Sequence, residues 1–191
     1  MSYKSALRIN CRQSLKRLAT DTESWLKKTK QAINILTKCQ EFIEGQHIGI
    51  YKALVDEFNL TELMLDHPEK HFYLPVCIEN YGLKFIKLAE LNKLQNSYSP
   101  IKIFSSADLE SAKVESFDQK LDTVIVPALG YTNSGYRLGR GAGYYDRYIN
   151  YHRKTLASNC KFLGLVYSDL VINDDSFIES HDAAVDKLLI V

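Results

Sequence analysis

The stretch Gly135–Arg147, G-Y-R-L-G-R-G-A-G-Y-Y-D-R, constrains this chain more than any other. Three glycines alternate at Gly139, Gly141 and Gly143, with Arg137, Arg140 and Arg147 around them. The apolar run Val124–Leu129 precedes the stretch, and the residues after it predict a helix over Tyr144–Leu156. The order is therefore buried strand, loop, and a helix opening on a glycine-rich turn. Glycine admits positive φ and lets a ligand approach the backbone N–H groups closely. A helix N-terminus adds unpaired donors and partial positive charge, and neighbouring guanidinium groups complete a site for phosphate oxygens. The spacing is neither G-x-G-x-x-G with a downstream acidic residue nor G-x-x-x-x-G-K-[ST]. Glycine spacing alone leaves a phosphate cradle and a structural turn equally open. The arginines and Asp146 favour the cradle, because a purely structural turn does not need them.

A chain of 191 residues with 46% apolar content is expected to form one domain, residues 1–191, around a proper core. The net charge of +1 gives no reason to expect nucleic acid or a membrane surface as partner. Cys11, Cys39, Cys77 and Cys160 stand far apart without a C-x-x-C, which reads as reduced thiols in a cytoplasmic protein. The N-terminus is basic but lacks the apolar core of a secretory leader. No apolar run approaches the roughly 20 residues of a membrane span. A monomer is expected.

Along the chain, Leu7, Cys11, Leu15 and Leu18 fall at helical spacing in Ser2–Leu18, whose remaining face is basic. A second helix is predicted from Asp21 or Thr22 to about Glu44, with a stripe of Leu26, Ile33, Leu36, Cys39 and Ile43 and with Trp25 packed in the core. His47–Tyr51 reads as the first strand, and Asn59-Leu60-Thr61-Glu62 as a capping box opening a helix that ends near His67. Further strands are predicted at Phe72–Val76, Leu83–Leu88, Thr123 onward, Phe162–Tyr167 and Lys187–Val191, with a polar loop over the site at Asn96–Ser106. Strands alternating with helices predict an α/β fold: one open, mostly parallel sheet with helices on both faces.

Arg137-Leu138-Gly139-Arg140-Gly141-Ala142-Gly143-Tyr144-Tyr145-Asp146-Arg147 closely resembles the R-L-G-x-G-x-G-Y-Y-D-R pattern of the 5-formyltetrahydrofolate cyclo-ligase family, the 5,10-methenyltetrahydrofolate synthetases. The resemblance extends to L-D-x-V-x-V-P at Leu121–Pro127, to a lysine and arginine one helical turn apart at Lys4 and Arg8, to Tyr51 and Glu57, and to H-D-x-x-V-D at His181–Asp186. The chain departs from the family at Asn59 and Leu60, at Thr132 in place of an acidic residue, at Asp169 in place of glutamine, and in lacking a G-I-x-E-P loop.

The resemblance implies ATP-driven cyclisation of 5-formyltetrahydrofolate to 5,10-methenyltetrahydrofolate, with ADP and phosphate released and Mg²⁺ as the metal. It assigns Lys4, Arg8, Arg137, Leu138, Gly139, Arg140, Gly141, Ala142, Gly143, Tyr144 and Tyr145 to the nucleotide. Tyr51, Lys52, Glu57 and Tyr144 go to the folate, Asp146 and Asp182 to the metal, and Arg140 and Tyr144 to catalysis. A carboxylate suits the two-donor amino-pyrimidine edge of a pterin. Either Tyr144 or Tyr145 would stack on the ring. Two other classes compete: a nucleotide- or folate-binding module without turnover, and a nucleic-acid binder using the basic first helix. The near-zero net charge argues against the second.

Overall fold

The computed structural model describes residues 2–80, 82–94 and 102–191. Helices α1 (Tyr3–Thr20), α2 (Thr22–Thr37) and α3 (Gln40–Glu44) lead into β1 (His47–Gly49). Then come α4 (Thr61–Asp66), β2 (His71–Ile78), β3 (Gly82–Lys87), β4 (Ile103–Phe104) and α5 (Ser106–Ser111). The remainder holds β5 (Thr123–Val126), β6 (Gly130–Thr132), β7 (Arg137–Leu138), α6 (Tyr144–Tyr151), β8 (Lys161–Val166), β9 (Val171–Ile172) and β10 (Lys187–Ile190).

The main sheet has the order β10-β8-β5-β1-β2-β3 and is parallel except where β3 runs against β2; β4 pairs parallel with the far end of β2. Helices cover both faces. Val124 pairs with Phe162, and on that face Tyr148 of α6 and His152 just after it pack against the Phe162 ring at centroid distances of 6.2 and 5.5 Å. Thr123 points to the other face, where its hydroxyl donates to the Glu41 carbonyl of α3 at 2.8 Å. Strands buried on both faces read as unbroken apolar runs, and every residue of β5 is buried. The expected open, mostly parallel sheet is the one observed.

Several element boundaries differ from expectation for physical reasons. The predicted helix to Glu44 breaks at Cys39, whose φ/ψ of −76°/132° is extended. The restart lets α3 dock on Thr123, while Glu41 pairs with Lys187 of β10 at 2.9 Å. The buried stripe of α2 accordingly runs through Thr29, Ala32 and Leu36; Leu26 and Ile43 are exposed. The capping box at Asn59 does not form. Leu60 is the N-cap, and the Asn59 side chain instead accepts from the N–H and hydroxyl of Thr61 at 3.1 and 2.6 Å.

Of the expected loop at Asn96–Ser106, residues 96–101 lie outside the described residues. Beyond them Ile103–Phe104 form β4, and Ser105 makes a capping box with Asp108 that opens α5. The helix after the glycine loop is α-helical to Tyr151 and then widens to π geometry over His152–Leu156. Strands β6, β7 and β9 form a second, small sheet that no periodicity announced.

Candidate active site

The glycine loop is held from below by a buried ion pair. Arg137, on β7, is 6% exposed and donates from Nη2 to Asp146 Oδ2 at 2.7 Å. Its Nη1 reaches the Pro127 carbonyl at 3.4 Å, and its Nε is buried without a hydrogen-bond partner among the described residues. Asp146 in turn accepts from the Ala183 N–H at 3.4 Å, which ties the first turn of α6 to the segment after Asp182. Gly139 exists to make room: a methyl group there would stand 2.6 Å from Arg137 Nη1. Gly141 and Gly143 have φ of 116° and 68°, a region that L side chains rarely enter. Gly143 is the N-cap of α6, and no side chain caps that end.

Helix α1 supplies one cation to the same loop and a second to the segment at Asp182. Arg8 Nε donates to the Gly139 carbonyl at 3.0 Å. One turn earlier, Lys4 Nζ meets Asp182 Oδ2 at 2.7 Å and Glu179 Oε1 at 3.8 Å. Burial works to raise the Asp182 carboxyl, but the Lys4 ammonium and the Glu179 N–H together hold it below the usual carboxylate range. Arg8 thus reaches the loop directly, whereas Lys4 and Asp182 connect to it only through Ala183 and Asp146, and neither lines the cavity beside it. His181 stays exposed beside Glu179, and Asp186 serves the fold, accepting from Arg153 and from the Phe162 N–H at 2.7 Å each.

Arg140 faces the other way. Its Nη2 lies 2.5 Å from Asp56 Oδ1 and 3.2 Å from Glu57 Oε1, and its Nε lies 3.4 Å from the same Glu57 oxygen. Glu57 Oε2 accepts from the Leu54 N–H at 3.0 Å. Burial nevertheless raises the Glu57 carboxyl, outweighing the Leu54 N–H and the Arg140 charge. Tyr51 is buried beside it, its phenol pushed well up by burial and then by the Glu57 charge.

Tyr51, Glu57, Arg137 and Arg140 line a cavity of about 450 Å³ at the carboxyl ends of β1 and β5, where open α/β sheets bind their ligands. Its polar rim holds Lys52, Glu57, Arg137, Arg140 and the loop from Gly139 to Gly143; Pro75, Cys77, Leu83 and Ile103 form an apolar wall. Pro75 sits inside β2 between the paired ends of β1 and β4, so its missing N–H faces the cavity edge and costs no ladder bond. Tyr144 is half-buried and Tyr145 buried, and both line the cavity; Leu138 is fully enclosed in the core. A wider opening of about 940 Å³ lies at the amino ends of β1, β5 and β8, beside Gly45, Asp122 and Lys161; none of the sequence-predicted site residues lines it.

Sequence reasoning missed Asp56 and the apolar wall. Adjacent acidic residues at Asp56-Glu57 were the available signal for the former; the wall comes from strand ends with no motif. Thr132, which replaces a family acid, is buried and bonds the Ser134 hydroxyl at 2.7 Å within the β6–β7 turn. Trp25 stacks on Phe58 and lies tilted against Tyr167 at centroid distances of 6.4 and 5.2 Å, as expected of a packing residue. Burial raises the thiols of Cys11, Cys39, Cys77 and Cys160, which disfavours their thiolate forms. No helix among the described residues is long and apolar enough to cross a membrane.

Comparison with known proteins places this geometry. A family profile described as the 5-formyltetrahydrofolate cyclo-ligase family matches residues 1–191. The chain is 32% identical over 197 residues to the 5-formyltetrahydrofolate cyclo-ligase of Mus musculus, covering 98% of this chain and 93% of that one. It is 26% identical over 149 residues to the mitochondrial 5-formyltetrahydrofolate cyclo-ligase of Arabidopsis thaliana, covering 71% of this chain and spanning about half, 53%, of the plant protein. The NMR structure of the Aquifex aeolicus 5,10-methenyltetrahydrofolate synthetase superposes with a TM-score of 0.73 at 22% identity, covering 99% of this chain and 90% of the other. The Mycoplasma pneumoniae 5,10-methenyltetrahydrofolate synthetase gives a TM-score of 0.68 at 21% identity, with 98% of each chain covered. At such identities the structures show a shared fold, whereas the profile match runs the full length. The chain belongs to the 5-formyltetrahydrofolate cyclo-ligase family.

Proposed function

We propose that residues 1–191 act as a single domain that converts 5-formyltetrahydrofolate to 5,10-methenyltetrahydrofolate, consuming ATP and releasing ADP and phosphate. The observation that carries this reading is Arg140. It joins the glycine loop to Glu57, so the groups suited to a triphosphate and the carboxylate suited to a pterin edge meet in one cavity.

The formyl oxygen of an N-formyl group is a poor leaving group. In the proposed reaction it takes the γ-phosphoryl group as the bond to ADP breaks. The folate N10 then attacks the activated carbon and loses its proton, and the C–O bond breaks to release phosphate. No covalent bond to the protein is required. The chain's work is positioning and charge stabilisation. Arg8, Arg137 and the 139–143 backbone fit the phosphates, and Arg137 Nε is a buried donor without a partner among the described residues. Glu57 orients the pterin, Arg140 stands between the substrates, and Tyr144 covers the ring.

Asp146 and Asp182 are the residues that would hold Mg²⁺. Their hard oxygens fit an ion that keeps water and phosphate ligands, although in this chain each carboxylate already holds a cation, Arg137 or Lys4. Mg²⁺ bound there would screen the phosphate charge. We further propose a cytoplasmic monomer. The deciding experiment follows the absorbance of the methenyl product from 5-formyltetrahydrofolate with and without ATP and Mg²⁺. Absence of product, with binding retained, would identify an inert binding module instead.

A further inference from the structure

We propose that Asp56 is a positioning residue: by taking the short contact to Arg140 it holds the guanidinium off Glu57, which leaves the Glu57 carboxylate able to accept hydrogen bonds from the folate. The inference rests on the activity proposed above.

The local chain explains why two acids meet one arginine. Leu54–Glu57 form a turn closed twice: the Glu57 N–H donates to the Leu54 carbonyl at 3.1 Å, and the Leu54 N–H donates back to Glu57 Oε2 at 3.0 Å. Val55 stands exposed at its tip. The turn thus presents two consecutive carboxylates to Arg140, and they differ in place. Glu57 and Arg140 line the cavity, and Asp56 is not part of that lining. Side-chain exposures of 17% for Asp56 and 10% for Glu57 shield both contacts from solvent, so neither is an ordinary surface bridge.

The distances divide the work. Arg140 Nη2 lies 2.5 Å from Asp56 Oδ1, but 3.2 Å from Glu57 Oε1, with Nε 3.4 Å from that same oxygen. Charge-assisted N–H···O bonds run about 2.7–2.9 Å, so the Glu57 contacts are long and Asp56 is the principal partner. A carboxylate oxygen has two acceptor sites, and Oε1 therefore keeps capacity for a ligand donor. With Asp56 neutral, the guanidinium would close on Glu57 as a fork and occupy that capacity. The charges agree: two carboxylates share one guanidinium, which leaves net negative charge where the pterin donors arrive. Tyr51, Lys52 and Arg137 also line this cavity, Arg137 being paired with Asp146. Burial raises the Glu57 carboxyl most; the Leu54 N–H and Arg140 work to lower it, and the Asp56 charge works to raise it.

The test compares the parent full chain with Asp56→Asn, Asp56→Glu, Arg140→Ala and the Asp56→Asn/Arg140→Ala pair, using 5-formyltetrahydrofolate and ATP. Loss of a hydrogen bond to a charged group is worth about tenfold in affinity, and Asp56→Asn should raise folate KM by that factor. In the Arg140→Ala background the same change should add nothing, since Asp56 acts through Arg140. The acid limb of folate KM should move to lower pH in Asp56→Asn, because a charge that raises Glu57 is gone and the guanidinium draws nearer. A merely structural role would leave that limb in place. Asp56→Glu keeps the charge and should lie nearer the parent on both readouts. A parent-like folate KM in Asp56→Asn, a full effect persisting without Arg140, or an unmoved limb would each overturn the role while leaving the activity intact. No methenyl product from the parent would overturn the activity and the role together.

Discussion

Gly139 and Arg137 compete for one volume: a methyl group on Gly139 would lie 2.6 Å from Arg137 Nη1 and 3.0 Å from its Cζ. The guanidinium cannot yield freely, because its Nη2 is fixed to Asp146 at 2.7 Å. Gly139→Ala should therefore shift the glycine loop, and a displacement on the order of 1 Å costs about a hundredfold in rate. Steady-state kinetics beside an unchanged circular dichroism spectrum is the measurement; parent-like kcat/KM would show that the loop tolerates the shift.

Arg140→Ala removes a cation that links the glycine loop to Asp56 and Glu57. Loss of such a donor typically costs on the order of a hundredfold or more in kcat. Single-turnover rates at saturating ATP and folate should show that loss. A variant that turned over like the parent would reject the role.

On the proposed assignment of Glu57 to the folate, Glu57→Gln should weaken folate binding far more than ATP binding. Titration calorimetry showing equal loss for both would reject the assignment.

Burial places the Glu57 carboxyl above its ordinary value of about 4.3. As pH falls through the raised value the group gains its proton and ceases to accept two hydrogen bonds, so folate KM should rise on an acid limb lying above the usual carboxylate range. Stability has the opposite sign. A raised carboxyl favours the folded state while protonated and loses that contribution as pH rises past its folded value. Glu57→Gln should flatten the KM limb, which a pH profile of the variant reads directly.

Asp146→Asn leaves Arg137 as a buried guanidinium without its counter-charge. Breaking a buried pair in this way costs about 3–5 kcal/mol. The loss should appear in urea unfolding without Mg²⁺, separating the structural part of Asp146 from its proposed metal role. An unchanged midpoint would mean that the pair contributes little to the fold.

The strands of the main sheet were legible because burial on both faces writes an unbroken apolar run, as in Val124–Val126. The glycine loop was legible because positive φ at Gly141 and Gly143 demands its residue type. The break at Cys39 was not, since neither glycine nor proline marks it and its cause is docking on Thr123 and Lys187. Asn59 misled because an Asx turn and a helix cap use the same side chain. The pairing of Arg140 with Asp56 was invisible because the two lie 84 positions apart.

The contact between Lys4 and Asp182 closes a circuit of 178 residues, and Arg8 reaches Gly139 across 131. A chain emerging from the ribosome presents Lys4 and Arg8 long before the residues they bind exist. Fraying of the helical turn that carries them would release the contacts to Asp182 and Gly139 while leaving the sheet standing, so an affinity handle is better attached after Val191 than ahead of Tyr3.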